Sequence, residues 1–312
     1  HRCLLVTDDI HSADLLNRGQ IDNIIRRAVQ QGKSAITGIR MATIQAAQCF
    51  GLRNIGAIAP GYKADILVMN DLDSMDINDV YVSGRKIVEN KRVGEFEEPE
   101  IKEDIMKSVL NSFYMKEVSP HDFYIEPKSK KCRVIKVVPG QLLTDEVTAD
   151  INWSMDNGVD TERDILKIAV IERHMNTGHI GKGFISGLGI KSGAIASSVS
   201  HDSHNLIVIG ANDNDMSVAA NYVRSKNGGL AVVKDGKVIA ALPLPIAGLM
   251  SDESAEVVAL KNKEVRDAAM KLGADSAAEP FMTTAFLALP VIPSLKLTTL
   301  GLVDVNKQEL VS

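Results

Sequence analysis

Six consecutive polar residues, Ser200-His-Asp-Ser-His-Asn205, form the densest group of reactive side chains in the sequence, and they lie between two apolar runs. Two imidazoles, a carboxylate, hydroxyls and an amide are costly to bury unless each has a partner, so this density at a strand end suggests a site. Because histidine titrates near neutrality, His201, Asp202, His204 and Asn205 are candidates for acid–base chemistry. A metal shared by both histidines would require a helix or a tight turn, since a strand directs them to opposite sides. The alternative is a polar turn whose side chains cap neighbouring backbone groups.

The second candidate is Asp8, which follows the apolar run 3–6 after a single threonine. An acidic residue just past the C-terminal end of a barrel strand points into the mouth where (β/α) barrel enzymes keep their chemistry. A carboxylate there can hold a metal ion or shuttle a proton. The alternative is that Asp8 or Asp9 caps the following helix, because aspartate is a favoured N-cap residue.

The elements predicted around Asp8 have the layout of the last unit of a (β/α) barrel. Residues 3–6 predict a short buried strand, and the segment 21–29 places its apolar side chains on one face of a helix. Thr43 is a candidate cap of another helix, which ends near Gly51. A chain that begins in a strand-like run and without methionine is expected to be a piece of a longer protein.

The segment after the predicted barrel end changes character. Residues 66–69 predict a strand, and the runs 80–82 and 86–88 flank Ser83-Gly84 as a hairpin. These strands are too few to form a domain by themselves. We therefore predict a mixed α/β chain with four parts: the end of a barrel at 1–53, strands of a small β-sandwich at 54–94, a charged linker at 95–119 and a C-terminal α/β domain at 120–312.

The predicted C-terminal domain contains the polar cluster. Residues 194–199 and 206–209 predict strands, and Asp235-Gly236 is the strongest hairpin signal in the chain. Residues 165–171 are compatible with either a buried strand or a helix that begins at Thr161. Asn214 and Ser251 are candidate helix caps.

Composition and charge narrow the class of protein. The chain is 45% hydrophobic and 24% charged, which is typical of a globular protein. With 35 Lys and Arg against 40 Asp and Glu, a net charge of -5 argues against non-specific nucleic-acid binding. Three cysteines without a C-x-x-C pair favour a reducing, cytoplasmic location. The sequence contains no apolar run of the ~20 residues that a membrane span needs.

Several segments together resemble the bacterial adenine deaminase family of the amidohydrolase superfamily. They are Val6-Thr-Asp-Asp9, Gly56-Ala-Ile-Ala-Pro-Gly-Tyr-Lys-Ala-Asp65, Glu172-Arg-His174, Gly193-Ala-Ile-Ala-Ser-Ser-Val-Ser-His-Asp-Ser-His-Asn205 and Leu242-Pro-Leu-Pro-Ile-Ala-Gly-Leu-Met-Ser-Asp252. The resemblance runs from residue 1 to about residue 305. It implies a metal-dependent (β/α)₈ barrel, a small β-sandwich and an appended C-terminal domain, which together hydrolyse adenine to hypoxanthine and ammonia.

The resemblance assigns a role to one residue of this chain. Asp8 matches the aspartate after the last barrel strand, and the family uses that residue as a metal ligand and as the group that moves a proton. The metal is expected to be manganese or iron, and it activates a water molecule for attack on the ring. The H-x-H motif and the other barrel ligands of the family are expected outside this chain, so the chain alone is expected to be inactive. Its uncovered helix faces predict a homo-oligomer.

Two other functions remain open from the sequence. The first is another cyclic amidohydrolase of the hydantoin or dihydropyrimidine type, which would share Asp8 and the segment 60–65 but would leave residues 120–312 without a role. The second is a non-catalytic module, in which residues 120–312 serve as an interface or a regulatory part.

Overall fold

A computed structural model describes residues 3–96, 100–154 and 156–311 of the chain. The fold divides into two compact units, His1–Glu100 and Ile101–Ser312. The mixed α/β class predicted from the sequence is confirmed by the helices and sheets of these units. No helix in the described ranges combines the length and the apolar character needed to cross a bilayer.

The first unit begins with four short helices: α1 (Ser12–Arg18), α2 (Ile21–Gln30), α3 (Ala35–Ala42) and α4 (Ile44–Cys49). Helix α2 confirms the predicted amphipathic helix, and it buries Ile25 against α3, where Gly38 leaves room for that side chain. Thr43 is the N-cap residue of α4, but its hydroxyl donates to the carbonyl of Ile39 instead of capping α4.

The strand predicted at residues 3–6 is absent from the described structure, where these residues have no regular secondary structure. A barrel strand is stabilised by hydrogen bonds to parallel neighbours on both sides. Among backbone contacts outside regular elements, this segment makes one, from the N–H of Leu5 to the carbonyl of Met41. An apolar run therefore marks a strand only where a neighbouring strand exists to pair with it.

The first unit ends in a four-stranded antiparallel sheet of β1 (Ile66–Asp71), β2 (Asp76–Val82), β3 (Arg85–Glu89) and β4 (Arg92–Val93), in that order. The hairpin predicted around Ser83-Gly84 joins β2 to β3, and both residues have positive φ. Asp65 supports the turn, because its carboxylate accepts a hydrogen bond from the N–H of Ser83.

The second unit is built on one eight-stranded sheet. Its strands are β5 (Lys131–Val137), β6 (Thr144–Asp150), β7 (Leu166–Ile171), β8 (Ile180–Ser186), β9 (Ala194–Ser197), β10 (Leu206–Gly210), β11 (Gly229–Lys234) and β12 (Lys237–Pro243). Their order is β12-β11-β9-β10-β7-β8-β5-β6, and only the β5–β8 pair is parallel. The segment 165–171 is thus a strand, and Asp235-Gly236 forms the predicted hairpin.

The remaining elements cover this sheet. The helices are α5 (Glu103–Leu110), α6 (Asp213–Ser225), α7 (Ala255–Lys271) and α8 (Pro280–Ala285), with short 3₁₀ turns at Pro120–Phe123, Asp156–Gly158 and Ser276–Ala278. The last strands, β13 (Leu295–Thr298), β14 (Gly301–Asp304) and β15 (Glu309–Val311), form a separate antiparallel sheet. The N-cap residues of α6 and α7 are Asn212 and Ser254, two and three residues away from the caps that the sequence predicted.

The central strands are buried on both faces. In β7, the side chains of Leu166, Ile168 and Val170 enter one hydrophobic cluster, and Ala169 and Ile171 enter another on the opposite face. The second cluster also contains residues of α6 and the segment 113–123, part of which the sequence predicted as linker. A strand buried on both faces has a continuous apolar sequence without alternation. For this reason the periodicity of residues 165–171 could not distinguish a strand from a helix.

The three-stranded sheet packs closely on β8. Gly181 lies against the end of β13, where a β-carbon would overlap the carbonyl oxygen of Thr298 and lie 3.1 Å from the nitrogen of Gly301. Strand β13 also carries Lys296, which is fully buried and donates from Nζ to the carbonyl of Leu142 at 3.0 Å.

The amine of Lys296 makes the stability of this sheet depend on pH. Burial lowers the pKa of Lys296 to about 8, against 10.5 for the free side chain. Between these values the unfolded chain binds more protons than the folded chain, so stability rises as the pH increases from 8 to 10.5. We expect Lys296→Met to raise the free energy of unfolding at pH 7 by roughly 1–3 kcal/mol and to abolish this rise. Urea unfolding at pH 7 and pH 10 measures both, and Lys271→Met on an exposed position is the matched control.

Candidate functional site

Asp8 lies in the first unit and is exposed to solvent. Its backbone has a positive φ of 52°, and its Oδ1 accepts a hydrogen bond from the N–H of Asp9 at 3.0 Å. The described residues contain no group of three or more His, Cys, Asp or Glu side chains that could hold a metal ion. By themselves, the residues described here do not fit a catalytic metal site.

The polar cluster lies in the second unit, in the loop between β9 and β10. The rings of His201 and His204 meet edge to face with centroids 5.6 Å apart, and Phe286 stacks on His201 at 4.6 Å. The structure therefore brings the two imidazoles together, as a tight turn allows and a strand does not. The side chain of Asp202 is 84% exposed, and its Oδ1 lies 3.9 Å from Nδ1 of His201.

Hydrogen bonds hold the backbone of this loop at Ser200, His201, Ser203 and His204. His201 donates from its N–H to the carbonyl of Ala285 at 2.7 Å, and His204 donates to the carbonyl of Ser200 at 2.6 Å. The carbonyl of Ser203 lies 2.7 Å from Nε2 of His174. These anchors hold the main chain that carries the two imidazoles.

Asn205 and His204 are connected to Arg173, which follows β7. The carbonyl of His204 accepts from Nε of Arg173 at 2.5 Å, and Oδ1 of Asn205 accepts from the N–H of Arg173 at 3.3 Å. The pairing of Leu206 with Ile171 explains this contact, since it places the residues just before β10 beside those just after β7. Arg173 was not among the site residues predicted from the sequence, although a pair of charged residues, Glu172 and Arg173, directly follows the apolar strand β7.

The loop after β12 completes this end of the sheet. Nη2 of Arg173 donates to the carbonyl of Ala247 at 3.1 Å, and Gly248 packs so closely that a β-carbon would lie 2.9 Å from the guanidinium carbon. The hydroxyl of Ser198 donates to the carbonyl of Gly248 at 2.6 Å and accepts from the N–H of Gly229 at 2.7 Å. Residues 198–205 and 246–250 are far apart in the chain, but these hydrogen bonds join them at one end of the sheet.

Glu172 organises the neighbouring loop. Partial burial raises the pKa of its carboxyl group, but hydrogen bonds from the N–H groups of Thr177, Met175 and His174 outweigh burial and lower that pKa to about 2. Oε1 accepts from His174 and Met175, and Oε2 accepts from the N–H and hydroxyl of Thr177. Both oxygens of Glu172 are therefore engaged within its own loop.

His204 is held in the neutral form. Burial lowers the pKa of His204, and the nearby charges of His201 and Arg173 lower it further. Its Nδ1 accepts weakly from the N–H of Ser200 at 3.4 Å, so the ring proton is assigned to Nε2. A neutral imidazole can act as a hydrogen-bond donor, a general base or, after protonation, a general acid. Ser200 is fully buried, and within the described ranges its hydroxyl has no hydrogen-bond partner.

Two family models match the chain. The model for the adenine deaminase C-terminal domain covers residues 141–309, which include the whole polar cluster and the loop after β12. The model for the amidohydrolase family covers residues 1–87, which include Asp8.

Full-length relatives extend the comparison over nearly the whole chain. The chain is 45% identical to adenine deaminase 2 of Carboxydothermus hydrogenoformans over 308 residues, which are 98% of this chain and 53% of that protein. It is 44% identical to the adenine deaminase of Dehalococcoides mccartyi (99% and 54%) and 43% identical to that of Brucella suis (98% and 52%). The chain thus spans about half the length of these relatives. The chain belongs to the adenine deaminase family.

Proposed function

We propose that this chain is the C-terminal portion of an adenine deaminase, and that the whole enzyme hydrolyses adenine to hypoxanthine and ammonia. The observation that carries the proposal is the match of the C-terminal domain model to residues 141–309, because that segment contains the polar cluster. Relatives named adenine deaminase, with 43–45% identity over almost the whole chain, support the same activity. The rival cyclic amidohydrolase leaves the second unit without a role.

The proposal includes the parts predicted from the sequence. We assign 1–53 to the end of the amidohydrolase barrel, 54–94 to the sandwich strands, 95–119 to a linker and 120–312 to the C-terminal domain. Asp8 is proposed as the catalytic and metal-binding residue of this chain, with manganese or iron as the metal. Because the described residues do not form a metal site, the other ligands are expected outside this chain. The support for Asp8 is the family resemblance and the match of residues 1–87.

The setting proposed for the enzyme is cytoplasmic purine metabolism, with adenine as the small-molecule partner and no binding of nucleic acid or membrane. A homo-oligomer is proposed because apolar side chains of the first unit are uncovered in the single chain. Ile36 is 61% exposed, Phe50 70% and Ile58 84%. Exposed apolar side chains of this size favour association where they lie together on the surface.

The activity is tested by expressing this chain together with the upstream half of the enzyme. Purified enzyme with Mn²⁺ is incubated with adenine, and ammonia and hypoxanthine are quantified. Hydantoin and dihydrouracil are assayed in parallel. The proposal is supported if adenine is deaminated and neither hydantoin nor dihydrouracil is hydrolysed. If one of these two rings is opened and adenine is not deaminated, the enzyme is the rival cyclic amidohydrolase.

We further propose that His201, Asp202, His204 and Asn205 contribute to the reaction. The support is the geometry of the loop, whose backbone is anchored while two imidazoles are held side by side. His204, which is held neutral, is the member best suited to exchange a proton near pH 7.

We expect His204→Ala in the full-length enzyme to lower turnover by roughly 10²–10⁴-fold, the range for loss of a general acid or base. The melting temperature is expected to stay within about 2 °C of the wild type. His121→Ala, which removes an exposed imidazole outside the cluster, is the matched control. A parallel loss of melting temperature and activity would favour the polar-turn interpretation instead.

A further inference from the structure

Arg173 occupies a position that is unusual for a charged side chain. It is 2% exposed, and its guanidinium stacks over the ring of Phe113 with 4.8 Å between the guanidinium carbon and the ring centroid. Its side chain donates to two backbone carbonyls, those of His204 and Ala247, which belong to different loops. We propose that Arg173 is a positioning residue, which sets the place of the His201–His204 pair by fixing the loops 200–205 and 246–250 to each other. The inference rests on the proposed contribution of this pair to adenine deamination.

The guanidinium is buried without a compensating carboxylate. In the part of the chain that the structure describes, no ion pair includes Arg173, and both oxygens of neighbouring Glu172 are engaged by residues 174–177. Burial lowers the pKa of Arg173 to about 10, and the charge of Glu172 offsets only part of this effect. An apolar side chain of similar volume would fill the space without this penalty. The charge is therefore explained by its two hydrogen bonds and not by packing.

The shape of the guanidinium suits this role. A planar group with donors at fixed angles can bridge two carbonyls, which the point charge of a lysine does less well. Gly248 packs directly against the plane of the guanidinium, and the hydroxyl of Ser198 holds the carbonyl of Gly248. Loss of the guanidinium would free the carbonyl of His204 and the loop after β12 at the same time.

Arg173 also acts on His204 through its charge. The groups that face His204 are His201, Arg173 and His174, which lower its pKa in addition to burial, and Asp202, which raises it. Removal of the charge at Arg173 should therefore raise the pKa of His204. Replacement by lysine would keep the charge but lose the bridge, so the two variants separate geometry from charge.

The experiment compares Arg173→Met and Arg173→Lys with Arg224→Met. Arg224 is a matched control, because its Nε also donates to a backbone carbonyl, that of Met115, away from the cluster. The pKa of His204 is measured by NMR on the chain with ¹³C-labelled histidine, and kcat, KM and the pH profile are measured on the full-length enzyme. Thermal melting checks that each variant is folded.

We expect Arg173→Met to raise the pKa of His204 and to move the acid limb of kcat in the same direction. Arg173→Lys should leave that pKa near the wild type. Both variants should lower kcat by at least ~10-fold with little change in KM, and Arg224→Met should do neither.

Opposite results overturn the inference. If folded Arg173→Met keeps both the wild-type pKa of His204 and the wild-type kcat, Arg173 is not a positioning residue. If the pKa moves but kcat and its pH profile do not, Arg173 acts on His204 but the pair takes no part in the reaction. If wild-type enzyme does not deaminate adenine, the proposed function fails, and the NMR titration still decides whether Arg173 acts on His204. Should Arg173→Met not fold, Arg173→Lys and Arg173→Gln provide the same comparison.

Discussion

Incubated with adenine and Mn²⁺, the purified 312-residue chain is expected to release ammonia no faster than buffer alone. Amidohydrolases are generally metal-dependent, and barrel metal sites draw their ligands from several strands. Among the described residues no set of three suitable side chains exists, and Asp8 is directed to the N–H of Asp9. We therefore expect turnover at least ~10³-fold below that of a full-length adenine deaminase assayed in parallel.

The assay can be interpreted only if the chain is folded and its content of bound metal is known. Far-UV circular dichroism establishes folding, and elemental analysis after dialysis against Mn²⁺ gives the bound metal per chain. Adenine turnover close to that of the full-length enzyme, with about one metal ion bound per chain, would contradict this prediction.

The second large effect is expected from Asp8→Ala in the full-length enzyme. If Asp8 has the proposed role of metal ligand and proton carrier, its removal should lower kcat by ~10³-fold or more and reduce the metal content. Asp9→Ala is the matched control, because it removes the neighbouring carboxylate. Elemental analysis and adenine turnover are measured for both variants.

The alternative role of these aspartates makes a different prediction. If Asp8 only holds the local backbone, Asp8→Ala should keep most of its activity, as Asp9→Ala does, and should lose only about 1 kcal/mol of stability. The N–H of Asp9 donates to Asp8 Oδ1, but the N-cap residue of α1 is His11, so the predicted helix cap at Asp8 or Asp9 is wrong. If both variants keep an activity near that of the wild type, Asp8 is not a catalytic residue, and the hydrolase assignment rests on the family match alone.

Local patterns in the sequence predicted local structure well. The spacing of Ile21, Ile24 and Ile25 predicted α2, and Asp235-Gly236 predicted the turn between β11 and β12. Both elements are determined by neighbours in the chain, a helix face in one case and a two-residue turn in the other. The family was also evident from short segments, and the matches over 1–87 and 141–309 confirm it.

Features that depend on distant partners could not be predicted in this way. The run 3–6 has the composition of a strand, but no neighbouring strand pairs with it in the described structure. The role of Arg173 could not be predicted, because its partners, the carbonyls of His204 and Ala247, lie 31 and 74 residues away along the chain. Carbonyl groups are present at every residue, so no pattern of side chains indicates which of them a buried guanidinium will bind.

Strand β8 contacts the end of β13 at Gly181. At Gly181 a hydrogen atom is the largest substituent that the carbonyl of Thr298 tolerates. In this chain, Gly181→Ala would require the backbone at Thr298, where β13 ends, to move away from β8. The docking of the terminal sheet on β8 therefore depends on the absence of a side chain at one position.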